Sequence, residues 1–201
     1  MSARETLLYL DGITVSFDGC RALNNLSLVF AAGWMRAVIC PNGAGKTTMM
    51  DVITGRTRPD RGVATFRGSH DVTRLDEPSV AALGIGRKFR KPTVFETQTD
   101  EDNLLLALAG ERRARLDGIV ETVHLAPLRH RLAGSLSQGQ KQWFEIGMLL
   151  AQDPALLLVE EPVAGMTDAE TEETARLLVE INRNHSVIAV EHDWSSSARL
   201  A

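Results

Sequence analysis

An apolar strand that runs into a glycine loop and then a helix constrains this chain more than any other stretch in it. The segment is Met35-Arg-Ala-Val-Ile-Cys-Pro-Asn-Gly-Ala-Gly-Lys-Thr-Thr48, followed by Met49-Met-Asp-Val-Ile53. Ala37, Val38 and Ile39 read as a buried strand, and Thr47 to Ile53 as the first turns of a helix. Gly43 and Gly45 let the backbone between them curl so that successive N–H groups point inward. The helix N-terminus adds about half a unit of positive charge. A loop of this kind cradles phosphate oxygens, with Lys46 reaching the β- and γ-phosphates and the Thr47 hydroxyl able to ligate Mg²⁺. The candidate set is Cys40, Pro41, Asn42, Gly43, Ala44, Gly45, Lys46, Thr47 and Thr48. The strict spacing G-x-x-x-x-G-K-[ST] is not met, because Cys40 stands where the first glycine belongs. A nucleoside triphosphate is the expected ligand.

At 201 residues the chain can fill one core, with 44% apolar and 24% charged residues as in ordinary soluble proteins. Its 22 basic and 26 acidic side chains give a net charge of −4, which argues against affinity for bulk nucleic acid. Cys20 and Cys40 lie far apart without metal-ligand spacing and fit free thiols in a reducing compartment. The polar N-terminus and the lack of an apolar run near about 18 residues predict neither a signal peptide nor a membrane span.

Residues 7–17 alternate apolar and polar types, as a half-buried strand does, and 26–30 read as a second strand. The Pro/Gly loop 57–62 leads into a short strand over 63–66. These early strands, joined by tight turns, predict an antiparallel sheet. A short helix is expected over 77–83, a strand over 85–89, and a helical insertion over about 100–135. Residues 137–152 and 168–182 read as helices, and 193–201 as the start of a last one. Ala155-Leu-Leu-Leu-Val159 and Ser186-Val-Ile-Ala-Val190 are short continuous apolar runs, which suit buried parallel strands. Strands alternating with helices make the core α/β with a mostly parallel sheet. No repeat or low-complexity linker interrupts the single domain expected over 1–201, whose antiparallel part covers about 1–34 and 63–68.

In open α/β sheets ligands sit at the carboxyl ends of the strands. Gly45-Lys46-Thr47, Glu160-Glu161 and Glu191-His192 all fall there. Glu160 can hold Mg²⁺ opposite Thr47, while Glu161 can orient or deprotonate a water aimed at the γ-phosphate; read plainly, the two acids cap a strand before Pro162. His192 is either a γ-phosphate contact or a satisfied loop histidine. Ser137, Gln138, Gly139 and Gln140 open a helix and form a second anion-binding corner, or else an ordinary serine N-cap with a glycine turn. One triphosphate does not easily use two such corners in one chain, so this corner suits a nucleotide held by another copy.

Taken together, Cys40-Pro-Asn-Gly-Ala-Gly-Lys-Thr-Thr48, Leu136-Ser-Gln-Gly-Gln140, Leu156-Leu-Leu-Val-Glu-Glu-Pro162 and Val190-Glu-His-Asp193 resemble, in order and spacing, the ATP-binding subunits of ABC transporters, over essentially the whole chain. Gly84-Ile-Gly-Arg-Lys-Phe-Arg-Lys-Pro-Thr-Val-Phe95 and Glu161-Pro-Val-Ala-Gly-Met-Thr-Asp-Ala-Glu170 look like the branched-chain amino acid and urea importer branch, most of all its urea-type subunit. The resemblance implies a P-loop NTPase core with an N-terminal antiparallel β subdomain and an inserted helical subdomain. It implies a head-to-tail dimer of ATP-binding subunits that encloses two ATP molecules, on transmembrane permease subunits at the cytoplasmic face of the membrane. Phe17 would stack on adenine or serve as a strand core residue. Lys46, Thr47 and Thr48 would hold phosphates and Mg²⁺, Glu161 would be the catalytic base, His192 the switch histidine, and Ser137 and Gly139 the contacts made in trans. Segment 87–95 would face the permease.

The chain departs from the family at Cys40 (glycine), Arg90 (glutamine), Glu160 (aspartate) and Thr167 (often aspartate), and stops soon after His192, as a C-terminally truncated form would. An arginine at 90 repels Mg²⁺ rather than ligating it. Two readings therefore stand: a transport-coupled ATPase, and a nucleotide-binding but hydrolysis-impaired subunit acting as an interaction module. DNA-repair and translation ATPases of the same type would show coiled-coil insertions, tandem cassettes or a basic surface, none of which is present.

Overall fold

The computed structural model describes residues 5–39, 41, 43–89, 94–108 and 115–191. Cys40, Asn42, Arg90, His192 and the expected last helix therefore lie outside the described residues. Strands β1 (Thr6–Phe17), β2 (Cys20–Ala31), β3 (Met35–Ile39), β4 (Arg61–Phe66), β5 (His70–Asp71), β6 (Ile85–Lys88), β7 (Leu156–Glu160) and β8 (Ser186–Glu191) form two four-stranded sheets. One is antiparallel in the order β2-β1-β4-β5, and the other is parallel in the order β3-β8-β7-β6. Helices α1 (Lys46–Ile53), α2 (Glu77–Ala82), α3 (Asp100–Ala107), α4 (Leu116–Thr122), α5 (Gln138–Leu150) and α6 (Asp168–Ile181) complete the fold.

The continuous apolar runs of β7 and β8 follow from burial on both faces. Leu156, Leu158, Ile188 and Val190 enter a core shared with the antiparallel sheet and with Met49, Met50, Val52 and Ile53 of α1. Leu157, Val159, Val187 and Ala189 enter a second core with α5, α6 and the insertion residues Leu104, Leu116, Ile119 and Val120. α1 and α5 thus cover opposite faces of the parallel sheet. A strand buried on one side only would have needed polar residues at alternate positions.

β1 shows the other pattern. Leu8 and Leu10 are buried, as are Ile13 and Val15, so the inward set changes from even to odd numbers. The change falls at a break in register between Leu10 and Ile13, where Gly12 adopts φ 62°. An extra residue there keeps the apolar side chains on one face. β2 is longer than the expected 26–30, because the Asp18-Gly19 turn, with φ of 46° and 82°, folds it back along nearly all of β1. The helical insertion leaves and returns through one neck, where Thr99 bridges to Leu132 and the Ala133 and Gly134 N–H groups donate to the Gln98 and Glu96 carbonyls at 3.0 Å each. Among the described residues no helix is long and apolar enough to cross a membrane.

Candidate functional site

The parallel register sets three strand ends side by side. Ile39 of β3 lies in register with Glu191 of β8, and Glu160 of β7 with Val190. With strands about 4.8 Å apart, the Glu160 backbone stands roughly 10 Å across the sheet from the strand that feeds the glycine loop. That spacing leaves room for a phosphate chain between them.

The loop enters α1 through Gly45, whose φ is 87°, after Gly43 at φ 81°. A Cβ on Gly45 would stand 2.5 Å from the Ala22 carbonyl oxygen and 2.7 Å from Leu23 Cδ2. Glycine is thus required twice, for the left-handed backbone and for the close seat of the loop on β2. α2, α3, α5 and α6 each have a side-chain N-cap, from Asp76, Thr99, Ser137 and Thr167. α1 has none and carries no acidic residue in its first turn. The first turn of an α-helix is where backbone N–H groups are offered to outside partners, and here that turn follows Gly43 and Gly45 directly. Pro41, Gly43, Ala44 and Thr47 are exposed, and the Lys46 ammonium bonds the Pro41 carbonyl at 3.3 Å. Amides, a cation and a hydroxyl, with no carboxylate among them, suit a polyphosphate.

Phe17 ends β1 opposite Cys20 and is 50% exposed, so it presents a ring to solvent rather than filling the core. Val15, two residues before it, pairs with the Leu23 that touches Gly45. The hairpin tip therefore flanks the loop.

Glu161 leaves β7 in a left-handed conformation, φ 43°, with its N–H bonded to the Val190 carbonyl at 2.9 Å. For a side chain before a proline this is a sparsely populated backbone, and it turns the buried carboxyl at the strand end. Glu160 is held by a residue the sequence reading did not single out. Arg87 of β6 donates from Nε to Glu160 Oε1 at 2.9 Å and also from Nη2 to that oxygen, while Nη1 reaches Asp51 Oδ1 of α1 at 2.6 Å. Beside it, the buried Lys88 ammonium pairs with Glu145 of α5 at 3.5 Å, and burial holds its pKa below the usual lysine value. These groups were legible only as a hint: adjacent cations inside a short strand, and single acids within Met49-Met-Asp-Val-Ile53 and Trp143-Phe-Glu-Ile146.

Mg²⁺ in phosphate sites takes only one or two protein oxygens and fills its shell from phosphates and water. The exposed Thr47 hydroxyl and the Glu160 carboxylate supply that number, so the donor set fits.

Ser137 caps α5 in a reciprocal box with Gln140, at 3.2 Å and 2.9 Å. A Cβ on Gly139 would meet Glu170 Oε1 at 2.7 Å, so Gln138 and Gly139 form a tight turn against the start of α6. Hydrogen bonds from Thr167 hold the Glu170 carboxyl below its usual pKa. α5, which Ser137 caps and Gln138, Gly139 and Gln140 open, and α1, which Lys46 and Thr47 open, pack on opposite faces of the sheet.

The sequence pattern of the ABC transporter family matches residues 23–164. The high-affinity branched-chain amino acid transport ATP-binding protein LivG of Salmonella typhimurium is 30% identical, over 94% of this chain and 83% of its own length. The corresponding BraF protein of Pseudomonas aeruginosa is 30% identical over 93% of this chain and 82% of that protein. The crystal structure of the ADP conformation of MJ1267, an ATP-binding cassette of an ABC transporter, aligns with a TM-score of 0.88 at 26% identity, over 97% of this chain and 84% of that one.

Proposed function

This chain belongs to the ABC transporter family, and on that premise we propose that it is the ATP-binding and ATP-hydrolysing subunit that energises an ABC importer. One observation carries the reading: the uncapped helix behind Gly45 and the carboxylates of Glu160, Glu161 and Glu191 share the carboxyl edge of one parallel sheet.

In this reading the amides of residues 43–48 and the Lys46 ammonium hold the β- and γ-phosphates, and Phe17 stacks on the base. Thr47 and Glu160 hold Mg²⁺, which when bound neutralises charge on the transferring phosphoryl group. Glu161 orients and deprotonates the attacking water, and His192 contacts the γ-phosphate. Ser137, Gln138, Gly139 and Gln140 serve the nucleotide of a second subunit, an arrangement supported by their position across the sheet from α1. A cleft of about 470 Å³, lined by Thr54, Arg56, Pro78, Val80 and Leu149 together with Arg87 and Phe89 from the start of segment 87–95, suits contact with permease subunits. The protein then works as a peripheral subunit on the cytoplasmic face of the membrane, its one domain divided into antiparallel part, nucleotide core and helical subdomain.

The names of LivG and BraF favour a branched-chain amino acid as solute. The pattern of residues 84–95 and 161–170 favours urea or a short-chain amide. Uptake of labelled leucine and labelled urea by cells carrying the intact transporter, with and without Lys46→Ala, separates the two.

A second reading, a nucleotide-binding subunit with impaired hydrolysis, is favoured by Cys40, Arg90 and Glu160, which stand where the family carries glycine, glutamine and aspartate. Steady-state Mg-ATP hydrolysis decides between them. Turnover that vanishes in Lys46→Ala supports the ATPase. Silence in the wild type with recovery in a Cys40→Gly, Arg90→Gln, Glu160→Asp variant supports impairment. Failure to bind ATP sinks both.

A further inference from the structure

We propose that Arg87 is a positioning residue for the metal-side carboxylate: from a buried seat on β6 it holds Glu160 of β7 in register with the helix that carries Thr47. The inference rests on the reading of Thr47 and Glu160 as the Mg²⁺ residues.

The Arg87 side chain is 4% exposed, and those of Asp51 and Glu160 are 20% and 13% exposed. A guanidinium this buried needs its donors filled, and here they are filled from two sides. Nε and Nη2 converge on Glu160 Oε1, while Nη1 bonds Asp51 Oδ1 at 2.6 Å and lies 3.4 Å from Thr54 Oγ1. The fork geometry of arginine makes this a rigid link rather than a point attraction. Its plane is fixed as well, with the guanidinium carbon 4.7 Å from the centroid of the Phe89 ring.

The placement of the link matters more than its strength. Arg87 pairs with Leu158 in the sheet, two residues before Glu160, so its backbone is anchored to the strand whose end it controls. Asp51 lies four residues after Thr47, on the same face of α1. One side chain therefore connects the element that presents the hydroxyl with the element that presents the carboxylate. Glutamate has one more rotatable bond than aspartate, and Glu160 left alone would sample several rotamers over the site. Arg87 selects one of them.

Binding of a fluorescent ATP analogue, titrated in excess EDTA and in excess MgCl₂, tests this without reference to turnover. In the wild type Mg²⁺ strengthens binding. Arg87→Gln is expected to lose roughly tenfold or more of that gain, the usual effect of removing a group that orients a metal ligand, while metal-free affinity stays within about twofold. Arg87→Lys, which keeps the charge but not the fork, falls between. In a Glu160→Gln background Arg87→Gln then has no further effect.

If Glu160→Gln loses the gain and Arg87→Gln keeps or increases it, the positioning role is overturned while the metal reading stands. If both keep it, or the wild type ignores Mg²⁺, the metal reading fails and the inference with it. Circular dichroism checks the fold. Should Arg87→Gln unfold, Asp51→Asn slackens the same guanidinium from the helix side, and retention of the full gain in both Asp51→Asn and Arg87→Lys refutes the proposal.

Discussion

Asp100 offers a direct test of the structure through its pH dependence. It opens α3 at the neck of the helical insertion, 1% exposed, with neither carboxyl oxygen hydrogen-bonded. Burial pushes its pKa from 3.8 up to about 6. A raised carboxyl pKa means that the native state holds the proton more tightly than the unfolded chain. Below pH 3.8 both states are protonated and Asp100 costs nothing through its charge. Between that value and about 6 the unfolded chain ionises first and stability falls with rising pH; above about 6 the full cost is present and the dependence levels off. The gap corresponds to at most about 3 kcal/mol at 1.36 kcal/mol per pH unit, and less to the extent that water screens the group. Favourable interaction with the α3 dipole offsets a further 0.3–1 kcal/mol or so. Asp100→Asn removes the charge and keeps the shape. Urea denaturation of both proteins across pH 4 to 7.5 should give a difference in stability that grows with pH and then reaches a plateau, while background titrations cancel. A change of about 3 kcal/mol is worth roughly 6–12 °C in Tm for a chain of this size. A difference that does not vary with pH would refute the burial of an unpaired carboxyl at this neck.

Two further substitutions probe the site. Gly45→Ala places a Cβ 2.5 Å from the Ala22 carbonyl at φ 87°, so it should displace the loop from β2 and cost about 1–3 kcal/mol in strain; isothermal titration should register lost ATP affinity, and unchanged affinity would count against the seat of the loop. Lys88→Met removes the cation facing buried Glu145 and should destabilise by about 3–5 kcal/mol, whereas Lys88→Met with Glu145→Leu should recover most of it. Chemical denaturation of the single and double variants checks this, and additive losses would contradict a direct pair.

Much of the architecture was legible because its signals are local. The runs at 155–159 and 186–190 marked strands buried on both faces, since no alternation was available for a solvent side. The glycines and Lys46 identified the phosphate loop by conformation and charge alone. Ser137 was legible as a helix N-cap, and the structure closes capping boxes at Ser137 with Gln140 and at Thr167 with Glu170. β2 was read short because its outer residues are polar and are held as strand by pairing to β1, a partner outside any local window. The bulge at Gly12 was invisible for the same reason, since only the neighbouring strand defines the register it shifts.

The sequence by itself determined most of the segments that become strands and helices, and that a loop suited to a polyphosphate lies among them. It did so because backbone preference and apolar period act over a few residues. Tertiary structure decided which charges meet. Asp51, Arg87 and Glu160 are separated by 36 and 73 positions; Asp51 and Arg87 look like ordinary charged residues, and Glu160 like a strand-end acid unrelated to them, until the parallel order of β6, β7 and β8 packs against α1. It also decided that α5, which Ser137 caps, and α1, which Lys46 opens, pack on opposite faces of one sheet. Electrostatics and burial act through space, and the distances that set them exist only after the chain has folded.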